Sequence, residues 1–140
     1  MEIVFEPFAL AIGAAAIVFI VTIFFWRRRQ TKERLIAGGI YSFVSARANF
    51  GVLKVLVVED DIVHIRLYKN VFDTRPTTLD PNILTLGSMK DPDGNYGIGH
   101  LPMRRAGVEA WQPQLILIGT VSQEELEGYE IWKEAGGGVW

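Results

Sequence analysis

Residues 50–68, FGVLKVLVVEDDIVHIRLY, hold two apolar runs separated by Glu59-Asp60-Asp61. β-branched residues crowd both runs, and three consecutive acidic residues suit a solvated turn, so the segment predicts an antiparallel hairpin of strands Phe50–Val58 and Ile62–Tyr68. In the second run Val63, Ile65 and Leu67 alternate with Ile62, His64, Arg66 and Tyr68. Side chains alternate across a strand, so one set faces a core and the other faces water or a functional surface.

Upstream, Ile40–Val44 reads as a further strand after the helix-breaking pair Gly38-Gly39. Downstream, 69–82 is polar and broken by Pro76 and Pro81, and Ile83–Leu86 is expected as a short strand. Asp91-Pro92-Asp93-Gly94-Asn95 has turn chemistry: Pro presets φ, and Gly or Asn accepts positive φ. The glycines and proline of 96–102 point to a close-packed loop. Met103–Trp111 suits a short helix, and Leu115–Gly119 suits a strand buried on both faces. Ser122-Gln123-Glu124-Glu125 is a capping box that opens a second helix, whose stripe is Leu126, Tyr129 and Trp132 and whose end is Gly136-Gly137-Gly138. The expected class is α+β, a small antiparallel, barrel-like sheet with two short C-terminal helices over residues 40–140.

Ahead of this domain, Phe8–Trp26 is a run of nineteen uncharged residues, followed by Arg27, Arg28, Arg29, Lys32 and Arg34. As a helix it would be ~28 Å long, close to the ~30 Å hydrocarbon core of a bilayer. The pattern predicts an uncleaved transmembrane helix over 8–26, a short extracytoplasmic N-terminus over 1–7 and a basic juxtamembrane linker over 27–39. A secretory signal would need a basic n-region, where this chain has Glu2 and Glu6. Trp26 with Arg27, Arg28 and Arg29 forms the expected membrane-interface set, and the arginines place the domain on the cytoplasmic side of the membrane. The lipid bilayer is therefore one expected partner. Gly13, Ala14, Ala15 and Ala16 would permit close helix packing, as in an accessory subunit of a membrane complex.

From Leu35 onward nine basic residues stand against thirteen acidic ones, a net charge of −4. Phosphate binding needs a basic face, so nucleic acid is an unsuitable partner and a basic protein a better one. The chain has no cysteine, which excludes disulfides, thiolate catalysis and cysteine zinc sites. No cofactor or metal is expected. Asp91 and Asp93 open like a calcium loop, but Gly94 comes too early and no acidic residue closes it. Gly94, Gly97 and Gly99 precede Pro102, so they do not form a phosphate loop. His64 and His100 are the only histidines; an enzyme would use one as base with Asp91 or Asp93 as its partner. The favoured contact residues for a protein partner are Tyr68, Phe72, Arg75 and His100, with Asn70 nearby, because aromatics and arginine on an irregular segment suit interaction hot spots.

The segments 51–56 and 64–70, then Asp73-Thr74-Arg75-Pro76, Leu86-Gly87-Ser88, Gly97-Ile98-Gly99-His100-Leu101-Pro102, Glu127-Gly128-Tyr129 and Trp132, resemble a family of small uncharacterised bacterial proteins. A looser similarity is to immunity proteins of polymorphic-toxin and type VI secretion systems. That resemblance implies a small acidic protein that binds and neutralises a toxin. The apolar N-terminal run departs from the soluble form of such proteins, and no functional residue carries over.

Overall fold

The computed structural model describes residues 34–139. Their architecture is a five-stranded antiparallel sheet with two helices: β1 (Gly39–Val44), β2 (Phe50–Val58), β3 (Ile62–Phe72), β4 (Ile98–Arg104), α1 (Arg105–Ala110), β5 (Gln114–Ile118) and α2 (Gln123–Glu134). The spatial order is β4-β3-β2-β1-β5. The 50–68 hairpin sits at its centre as expected, with Val58 opposite Val63, Val55 opposite Ile65 and Leu53 opposite Leu67.

The expectation of a barrel-like sheet is corrected. β4 and β5 lie at opposite edges, three strands apart, so the sheet is open. The chain leaves β4, runs through α1 and returns to pair β5 with β1 instead of joining β4. The expected spanning helix over 8–26 lies outside the described residues, as do Trp26, Arg27, Arg28 and Arg29. Among the described residues no helix is long and apolar enough to cross a membrane. The fold described is the open sheet with α1 and α2.

One face of the sheet carries the main core. Tyr41, Leu53, Val55, Val63 and Ile65 are buried there with Leu35 and with Val108 of α1, and Phe43, Leu67, Leu101, Met103 and Trp111 close the rim. The period-two reading of β3 is matched: Val63, Ile65 and Leu67 join this core, while His64 and Arg66 point to the other face. Tyr41 Oη donates to Arg34 O and accepts from Ile36 N, so a buried hydroxyl also fixes the chain entering β1.

Four local expectations change for identifiable reasons. β3 continues to Phe72, four residues beyond Tyr68, with a register irregularity between its pairs to Leu53 and Gly51. Ile83–Leu86 is not a strand: Asp80 accepts from Asn82 N and caps a 3-10 turn, Pro81–Ile83. Ile98–Arg104 is a strand, despite its glycine and proline, because it lies at the sheet edge. Just before it, Gly97 lies against Leu67 O, where any Cβ would collide, and its N–H donates to Leu86 O at 2.6 Å. Finally, β5 is an edge strand with partly exposed side chains, not a strand buried on both faces; Ile118 is 61% exposed.

Candidate functional site

α2 lies on the sheet face opposite the main core. Its start follows from sequence: Ser122 Oγ accepts from Glu125 N, and the Glu125 carboxylate accepts from Ser122 N. The same carboxylate has a second task. It accepts from Lys54 Nζ at 2.8 and 2.9 Å, and Arg66 Nη1 lies 3.8 Å away. Lys54 belongs to the central strand β2, its side chain is only 8% exposed, and its Nζ also donates to Thr120 O. A charge in that position needs a partner, because isolated burial of an ammonium is very costly. Burial pushes the Glu125 carboxyl up, but the Lys54 hydrogen bond, the Ser122 N–H and the two nearby cations outweigh it and hold the group below its ordinary range.

One turn and more along α2, the contact with the sheet changes from ionic to aromatic. His64 of β3 is fully buried, and its Nδ1 lies 2.9 Å from Nε2 of His100 on β4. The two imidazoles are nearly parallel, at 8°, and Tyr129 and Trp132 meet the His64 ring edge-on with centroids 4.7 and 4.5 Å away. Behind His64, Glu59 Oε2 lies 3.6 Å from Nε2, a distance too long for a hydrogen bond. Glu59 Oε1 accepts from Tyr129 Oη at 2.8 Å. Glu59 thus ties the β2–β3 turn to α2 and faces the buried imidazole.

Both histidines are pushed below the ordinary imidazole range. For His64 the dominant cause is burial, opposed by Glu59; for His100 it is burial, reinforced by the neighbouring His64. Tyr129 is pushed up, first by its hydrogen bond to the Glu59 carboxylate. Two neutral imidazoles with facing nitrogens share one proton, one ring donating and the other accepting. A carboxylate opposite His64 Nε2 favours the proton there, which leaves Nδ1 to accept from His100.

Gly128 allows α2 to come this close. A Cβ at that position would lie 2.5 Å from His100 Cβ. In an isolated helix Gly→Ala gains about 1 kcal/mol. Here Gly128→Ala is expected to destabilise the domain by about 1–3 kcal/mol, since a well-packed contact must open to admit the methyl. Urea unfolding measures the sign directly.

The residues singled out in the sequence do not form one constellation. His64 and His100 meet each other, and the carboxylate near them is Glu59, not Asp91 or Asp93. Those two aspartates hold Lys69 instead, at 2.7 and 3.3 Å. Tyr68 and Phe72 are half-buried on β3. Arg75 Nη1 donates to Gln112 O and its guanidinium sits 5.1 Å from the Phe50 ring centroid. His100 lies under α2. Glu59, Tyr129 and the Lys54–Glu125 pair were not singled out; a lysine inside the apolar run GVLKVLVV was the available signal. Among the described residues no group of three or more histidines and carboxylates could hold a metal ion.

A second surface lies at the outer end of β3. Asn70 clasps the following segment, donating to Ile83 O and accepting from Thr85 N, and Asn95 donates to Lys69 O. Lys69 holds the 88–93 turn through Asp91, and Leu67 pairs with Ile98. The segments so tied to β3 carry Val71, Ile83, Met89, Tyr96 and Ile98, each large, apolar and exposed. Comparison of the chain with protein-family models, curated proteins and solved structures gives no significant match.

Proposed function

We propose that the domain is a protein-binding module held at the inner membrane of a bacterium, with neutralisation of a cognate toxin, as by an immunity protein, as its concrete form. The membrane placement rests on the 8–26 sequence pattern and its trailing arginines. The binding role is supported chiefly by the exposed apolar group at the outer end of β3. Among the described residues, five of the eight large exposed apolar ones fall on β3 and the segments tied to its outer end, a concentration that suits an interaction surface. Segment 71–98 carries four acidic residues and two basic ones, so a partner with a basic rim around an apolar centre fits it. Tyr68 and Phe72, half-buried on β3, would contribute further contacts.

The test is to purify the full chain with a C-terminal tag from gently solubilised membranes and identify the bound protein. Its affinity is then measured for Ile83→Ser/Tyr96→Ser and for Tyr68→Ala. The double variant removes exposed apolar contacts and should weaken binding at least tenfold while the unfolding midpoint stays near that of the parent. Unchanged affinity would sink the surface. For the toxin-neutralising form, co-expression of the captured protein should arrest growth only when the domain is absent or carries the double variant.

A further inference from the structure

α2 rests on its sheet through two chemically different halves. The N-terminal half is ionic: Glu125 with Lys54 and Arg66. The C-terminal half is Tyr129 and Trp132 against His64 and His100, with Gly128 pressed on His100. No residue of α2 is fully buried, so the helix depends on these contacts more than on a core of its own. We propose that the His64–His100 pair makes the C-terminal half of α2 an acid-releasable clasp, closed near neutral pH and opened at mildly acidic pH while the Lys54–Glu125 half stays engaged.

The argument rests on geometry. Facing nitrogens 2.9 Å apart have room for one proton. With His64 Nε2 already carrying a proton, an added one must go to His100 Nδ1, which puts a cation inside the buried stack. Two added protons would put like charges side by side. His64 Nε2 is buried and has no hydrogen-bond partner in the closed state. Lifting Tyr129 and Trp132 gives both rings water, so protonation favours the lifted state.

The charged and titratable groups around the pair are few. Glu59 faces His64 from the β2–β3 turn, and Arg66 follows on β3. Lys54 approaches from β2 only as far as Glu125. From α2 come Glu125, Tyr129 and Lys133, whose Nζ lies 5.9 Å from the Tyr129 ring centroid. Glu59 alone stabilises an imidazolium at His64, and its 3.6 Å separation and shared bond to Tyr129 limit that help.

The sign follows from the lowered imidazole values. The closed clasp is at full strength above the ordinary pKa of about 6.5 and loses strength as pH falls through the lowered values. Between the ordinary and the lowered values, each unit fall in pH weakens the clasp by up to tenfold per histidine. The Glu125 carboxylate, held below its own ordinary range near 4.5, keeps the other half in place throughout.

Hydrogen exchange on the full chain, corrected for intrinsic rates, tests this between pH 7.5 and 5.0. The amides of 128–134 should lose about tenfold or more in protection, while those of β2 keep theirs. Glu59→Gln retains an acceptor for Tyr129 but removes the charge that eases a proton on His64 in the closed state, so its release midpoint should move to higher pH. His100→Gln should flatten the pH response, because one titrating group remains. Equal protection of 128–134 at both pH values would overturn the proposal. So would parallel loss in α2 and β2, which is whole-domain acid unfolding, or a Glu59→Gln midpoint that moves to lower pH.

Discussion

Glu125→Ala is expected to cost about 3–5 kcal/mol, a large share of the ~5–15 kcal/mol that holds a domain of this size together. The loss has two sources that a second variant separates. Glu125→Gln keeps an oxygen for Ser122 N and for Lys54 but removes the negative charge, so it should retain the cap, worth about 1 kcal/mol, and lose most of the rest. The dominant source is Lys54, an ammonium 8% exposed on the central strand, left with only Thr120 O beside it. Replacing both partners by apolar residues, Lys54→Met with Glu125→Leu, should recover much of the loss, because no uncompensated charge stays buried. Denaturant unfolding of these proteins together with the single variants Lys54→Met and Glu125→Leu checks this; additive losses in the double variant would mean that Lys54 and Glu125 act independently. The pH dependence has a fixed sign. Glu125 is held below its ordinary value near 4.5, so its contribution is complete above that value and is lost as pH falls through the lowered one.

Leu53→Ala should be comparably damaging for a different reason. Leu53 is fully buried in the middle of β2, opposite Leu67, and belongs to the cluster with Tyr41, Val55, Val63, Ile65 and Val108. Truncation removes apolar burial and leaves a cavity that a central strand, paired on both sides, cannot close. The expected cost is about 2–5 kcal/mol. Thermal unfolding should fall by roughly 10 °C or more, since ~1 kcal/mol shifts a domain of this size by about 4–8 °C. A loss below ~1 kcal/mol would mean that the two helices and flanking strands can collapse onto the gap.

The hairpin and both helices were legible because their determinants are local. The β-branched runs and the acidic turn of 50–68, and the Ser122–Glu125 capping box, act over a few residues. The strand at 98–104 was obscured because its signals are those of a loop. Gly97 answers to a carbonyl thirty residues away, and Pro102 is tolerated only because the strand takes an edge position. Ile83–Leu86 shows the opposite case: its apolar run suits a strand, but short apolar runs do not reveal whether a neighbouring strand exists to pair with.

The sequence by itself determined the antiparallel hairpin, the two faces of β3, the start of α2, the acidic charge of the domain and the exclusion of cysteine chemistry. Tertiary structure decided that the sheet stays open, and which side chains meet: His64 with His100, Glu59 with Tyr129, Lys54 with Glu125. Periodicity and capping are set by neighbours in the chain, so they can be read along it. A pairing between residues 36, 70 or 71 positions apart depends on strand order and on how closely a helix approaches the sheet, and only the folded chain sets those distances.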